Sequence, residues 1–195
     1  MGQSTGGRLH KQGPEHLGRR ALLGLSITLV TLALAPVASA DHSESDVKAA
    51  FVYNFAKFVE WPTTSLATTN ALQLCVLGDD ALDGKLGMLQ GRTAQGHEIH
   101  VRTLSSLKDW AGCHILYLGT TNDSQRRQVL AALGNATVLT VSDTPDFAQQ
   151  GGMIGLWVEA SRVQFAINID QAQQAGLKVS ARMLQLAHVV REASK

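Results

Sequence analysis

Cysteines, runs of like charge and nucleotide- or nucleophile-type motifs are scarce or missing in these 195 residues, and each shortage removes a class of function. The two cysteines, Cys75 and Cys113, lie 38 positions apart, which excludes a CxxC redox motif. No basic run occurs, and beyond residue 40 the chain carries 13 Lys and Arg against 15 Asp and Glu, a net charge of −2 that argues against a nucleic-acid partner. No apolar stretch after residue 40 approaches the thickness of a bilayer. The glycines between Gly78 and Gly91 form neither GxGxxG nor GxxxxGK[ST], so a nucleotide cradle has no support. Ser142 and Ser180 lack a GxSxG setting and a histidine base, and read as caps or turn residues. His97 and His100, three apart on a strand, point to opposite faces and make a poor metal pair, while His114 and His188 stand alone. Asp79-Asp80 follows the first core strand, as in a phospho-receiver's metal pocket. The third core strand, however, ends Tyr117-Leu118-Gly119 with no aspartate to accept phosphate, so the pair reads as solvated turn. No catalytic residue, metal ligand or cofactor is expected, and the chain is not expected to be an enzyme.

What is present begins with an address. Arg8, Lys11, Arg19 and Arg20 precede an uncharged run, Ala21 to Ala40, which closes Pro36-Val37-Ala38-Ser39-Ala40. A basic segment, an apolar segment and small residues at 38 and 40 predict a signal peptide, residues 1–40, cleaved after Ala40. The alternative is an uncleaved anchor, since twenty uncharged residues nearly span a bilayer; Pro36 and the small-residue exit favour cleavage. Arg19-Arg20 before Ala21-Leu22-Leu23 also resembles a twin-arginine signal, and both export routes stay open. In a two-membrane bacterium the product, residues 41–195, is periplasmic. That oxidising compartment invites a Cys75–Cys113 disulfide, closing a loop worth about 3–4 kcal/mol; two buried free thiols packed as small apolar residues are the alternative.

Beyond residue 40 the pattern is that of one α/β domain. Ser43-Glu44-Ser45-Asp46 has capping-box spacing and predicts a helix that buries Val47, Phe51, Phe55 and Phe58 opposite Lys48 and Lys57, ending at Trp61-Pro62. Strands are predicted at Ala71–Leu77, Glu98–Leu104, His114–Leu118 and Thr137–Val141, with helices at Ala81–Leu89 and Asp123–Leu133. Such alternation implies a largely parallel central sheet flanked by helices, Rossmann-like. Gly151-Gly152 admits a tight backbone, or else marks a binding edge, before Met153–Val158 and Arg162–Ile169, which read as a β-hairpin. An amphipathic helix, Ser180–Glu192, with Met183, Leu184, Leu186, Ala187 and Val190 on its apolar face, completes the fold.

Several blocks carry a resemblance. Val47-Lys48-Ala49-Ala50-Phe51-Val52-Tyr53-Asn54-Phe55-Ala56-Lys57-Phe58-Val59-Glu60-Trp61-Pro62 resembles the opening signature of the YfiR family. Cys75 to Asp80, Gly112 to Tyr117, Leu139 to Asp143, Phe147 through Gly151-Gly152-Met153-Ile154, Val163 to Asn168 and Gly176 to Leu184 agree with it. The resemblance implies a dimeric periplasmic repressor of an inner-membrane diguanylate cyclase, YfiN, relieved by an outer-membrane lipoprotein, YfiB, with cyclic di-GMP and biofilm as outputs. It also implies that Cys75 and Cys113 form the family's disulfide; a second pair that some relatives carry near the glycines is absent. Partner contacts are expected at Phe147, Met153 and Trp157, with Arg162 and Arg182 at the rim. The rival expectation is a small-ligand sensor or carrier using the crevice after Gly78.

Overall fold

A computed structural model describes residues 43–67, 70–78, 82–119 and 122–191. In chain order its strands are β1 (Val59–Glu60), β2 (Ala71–Leu77), β3 (Thr93–Ala94), β4 (His97–Leu104), β5 (Ile115–Leu118), β6 (Leu139–Ser142), β7 (Ile154–Glu159), β8 (Arg162–Asn168), β9 (Lys178–Val179) and β10 (His188–Val190). Between them lie α1 (Glu44–Phe58), α2 (Thr63–Leu66), α3 (Asp123–Leu133), α4 (Ile169–Gln174) and α5 (Ala181–Leu184). Expected Ala81–Leu89 helicity shrinks to a 3-10 turn, Lys85–Leu89, because Gly84 sits at φ 77° and Gly87 interrupts the run. The signal peptide and Asp79-Asp80 lie outside the described residues.

Eight strands form one sheet in the order β10-β8-β7-β6-β5-β2-β4-β3, mostly parallel, with β7–β8 and β3–β4 antiparallel. Within it β4-β2-β5-β6-β7 is the 2-1-3-4-5 order of doubly wound sheets, not the 3-2-1-4-5-6 Rossmann order. Alternate strand residues feed two cores. Leu72, Leu74, Val76, Ile115, Tyr117, Leu139 and Val141 join Val52, Phe55 and Ala56 of α1 on one face. Cys75, Leu77, Leu116 and Leu118 join Val129 and Leu133 of α3 on the other. Burial on both faces is why these strands read as continuous apolar runs.

Helix α1 starts as its sequence demands. The Ser43 hydroxyl accepts from the Asp46 amide, and the Asp46 carboxylate accepts from the Ser43 amide. Lys85 first, then Ser43, hydrogen-bond that carboxylate and hold its pKa at about 2. Two corrections concern the helices. Lys48, expected on the solvent face, is buried at 8% exposure. The expected Ser180–Glu192 helix stops after one turn, and the chain then bends and adds His188–Val190 to β8 in parallel. Glu192 lies outside the described residues. β-Branched Val189 and Val190 find ladder bonds at an open sheet edge that an isolated helix cannot offer.

The β7–β8 connection carries strain. Ala160 (φ 47°) and Ser161 (φ 61°) form the two-residue turn with both residues in the left-handed region, the type I′ geometry that favours Asn-Gly. Replacing Ala160-Ser161 by Asn-Gly is expected to raise the unfolding free energy by about 1–2 kcal/mol. Chemical denaturation checks this, and an unchanged midpoint would exclude the strain.

Candidate interaction surface

Aromatic residues of α1 that face away from the sheet centre wall a groove whose other side is α5. Phe51, Asn54, Phe55, Phe58, Phe165, Arg182, Met183 and Leu186 enclose about 290 Å³ open to solvent. Phe51, Phe55 and Phe165 form its floor, with ring centroids 5.3 to 6.1 Å apart and tilted planes, a favourable edge-type contact. Among the described residues the exposed large apolar side chains are Met88, Val158, Leu186 and Val189. Of these, Leu186 lines the groove. Register places Val189 beside Ile167 and Val158 opposite Val163, on the same sheet face as Phe165, and Leu186 is 70% exposed. Arg182 has no ion pair within the described residues.

The opposite face of the same sheet end presents Trp157, half-buried, with its ring 5.2 Å from that of His188. It lines a second cleft of about 230 Å³ with Thr144, Pro145, Asp146 and Gln149. Phe147 and Met153, expected at the contact, are buried in this chain, although Phe147 also lines this cleft. Phe147 is fully buried and Met153 is 5% exposed, because the 144–152 loop folds its apolar side chain inward. The Phe147 carbonyl accepts from the Gly152 amide, and the Thr140 hydroxyl accepts from the Met153 amide. Arg162 and Arg182 are exposed, as rim residues must be.

Two buried polar centres set the frame. Lys48 reaches Glu44 at 2.6 Å and Asp143 at 2.9 Å, clamping α1 to the end of β6. Desolvation pushes the Lys48 ammonium down, but its bonds to the two carboxylates outweigh that and hold its pKa above the ordinary lysine value. Cys75 and Cys113 are joined in a disulfide within the α3-side core, with the Arg102 guanidinium 3.5 Å from the Cys113 sulfur. His114 is a satisfied core histidine. Its Nδ1 accepts from the Gln73 amide, and Nε2 lies 3.0 Å from the Ser65 carbonyl. Ser142 and Ser180 do local work, Ser142 bonding the Leu118 carbonyl and Ser180 capping α5.

Of the residues expected at a contact, Trp157, Arg162 and Arg182 lie at the surface, and the groove is lined in addition by Phe51, Phe58 and Leu186, which were expected to be buried. The α1 stripe reads as wholly buried, yet Phe51 and Phe58 are half-buried, because α5 is too short to cover that end of α1. The expected crevice after Gly78 falls on residues 79–81, which lie outside the described residues. No described helix is long and apolar enough to cross a membrane.

Comparison with solved structures returns the ABC domain in complex with L-Trp from Streptococcus pneumonia, at 13% identity and TM-score 0.47. The match covers 71% of this chain and spans 58% of that one. A family description, YfiR/HmsC-like, matches residues 45–188. That interval takes in both walls of the groove, the disulfide and nearly every described element. The chain belongs to the YfiR/HmsC-like family.

Proposed function

We propose that this chain is a periplasmic repressor that binds the periplasmic part of an inner-membrane diguanylate cyclase and holds it inactive, lowering cyclic di-GMP and biofilm formation. Membership of a family of periplasmic regulators of diguanylate-cyclase signalling supports the setting. Cleavage after Ala40 would deliver residues 41–195 there. The observation that carries the reading is the Phe51–Phe58 groove with exposed Leu186 in its lining, Val158 and Val189 exposed on the same sheet face as Phe165, and Arg182, which has no ion pair among the described residues, beside them. Apolar surface of this kind, with aromatic and arginine anchors, is what protein interfaces use.

Repression of this sort needs no chemistry. A chain that binds the inactive cyclase conformation ten times more tightly than the active one shifts that equilibrium by about 1.4 kcal/mol. A YfiB-like outer-membrane lipoprotein would relieve repression by competing for the chain, which acts as a homodimer. Deletion should raise cellular cyclic di-GMP several-fold. Leu186→Glu, at an exposed site where folding is untouched, should reproduce the deletion by placing a charge in the apolar groove. Cyclic di-GMP is measured in both strains, and an unchanged level on deletion would overturn the proposal.

A further inference from the structure

Strand β8 is seven residues long, Arg162–Asn168, and pairs with β7 along its whole length. On its other side β10 covers Ala166–Asn168 alone. Among the described residues Arg162 to Phe165 therefore have no strand partner there. The chain that leads into β10 does not fill the gap, because the amides of Gln185, Leu186 and Ala187 bond back to Ala181, Met183 and Leu184. A two-residue turn makes Glu159 and Arg162 a hydrogen-bonded pair, and such pairs alternate along an antiparallel ladder. Gln164 thus also turns its backbone toward β7, while Val163, with both its groups, and the Phe165 amide turn toward the open edge.

Free edges are normally blunted by charged side chains, proline, a bulge, a very short edge strand or a covering loop. Neither lysine nor proline occurs from Arg162 to Phe165 or in β10, and the charge at this edge is Arg162. The flanking surface is the apolar surface described above. Among the described residues Arg162 and Arg182 make no ion pair there, Glu159 opposite Arg162 in register included.

We infer that the β8 edge at Arg162–Phe165 receives an extended segment of another protein as an added strand, in line with β10, with its apolar side chains on the Phe165 and Leu186 face and its carboxylates on the opposite face, toward Arg162. This rests on the reading that the chain works by binding a protein. Main-chain bonds to Val163 and Phe165 supply the pairing, and the groove and Arg162 select the sequence. A second copy of the chain fits less well, since it offers Arg162 at its own edge where the occupant needs a carboxylate.

The test is nuclear magnetic resonance titration of the purified chain with an end-blocked nine-residue peptide of alternating valine and glutamate. Saturable shifts and slowed exchange at the Val163 and Phe165 amides are expected. Val163→Pro, which removes an edge-facing N–H and leaves every β7 bond in place, should abolish them with the hairpin intact in its own spectrum. Arg162→Glu, or lysine for glutamate in the peptide, should weaken binding about ten-fold, or 1.4 kcal/mol. Absence of shifts at these amides, retained binding in Val163→Pro, or protection that depends on protein concentration without peptide would each overturn the inference. The peptide result stands apart from the cyclase reading, which the deletion strain decides by itself.

Discussion

Gly152→Ala is expected to lower the unfolding free energy by about 3 kcal/mol or more, and the melting temperature by about 10 °C. A Cβ at Gly152 would overlap the ring of Phe147, whose side chain is fully buried. The ring cannot swing aside. Its Cβ also lies 3.4 Å from where a Gly155 Cβ would stand, and the loop that carries it is fastened by the Gly152 amide to the Phe147 carbonyl at 2.9 Å and by Asn168 Nδ2 to the Ala148 carbonyl at 3.0 Å. Phe147→Leu should be destabilising by itself, yet should lose less when combined with Gly152→Ala, because the smaller side chain makes room. A thermal-melt double-mutant cycle measures that coupling. A Gly152→Ala variant that melts with the wild type would show that the loop repacks freely.

Loss of the disulfide is the second large effect. Joining Cys75 and Cys113, at a sequence separation of 38, restrains the unfolded chain by about 4 kcal/mol on loop-entropy grounds. The closed loop contains all of β4, which pairs with β2 through seven registered residues, so the bond fastens that pairing at one end. The double variant Cys75→Ala, Cys113→Ala should unfold at lower denaturant concentration by that amount. Wild-type protein unfolded with reductant should match it, and reductant should leave the variant unmoved. Equal midpoints with and without reductant in the wild type would show that the bond adds nothing. A change of a few kcal/mol is a large part of the stability of a domain this size.

Much of the fold was legible because it rests on local chemistry. The Ser43–Asp46 box, the Asn122-capped α3 and the apolar runs of β2, β5 and β6 each announce their structure within a few residues. The α5–β10 segment was not legible. Its residues 183–190 carry a helical apolar spacing, and only the open side of β8 makes a strand the better partner for His188–Val190. The short α4 was also missed, since its start depends on Asn168, a strand residue that accepts from the Gln171 amide.

The candidate surface divides the same way. Sequence by itself determined the family resemblance, the alternation of elements and the residue types suited to an interface. It could not tell a buried aromatic from a half-buried one, because Phe147, Phe58 and Trp157 differ in what lies over them, not in their neighbours along the chain. Tertiary structure decided that Phe147 closes a core, that Lys48 is clamped between two carboxylates, and that Leu186 and the β8 edge stand open. The physical reason is that burial and edge pairing depend on contacts between segments far apart in the chain, whereas capping and periodicity act within a single turn or strand.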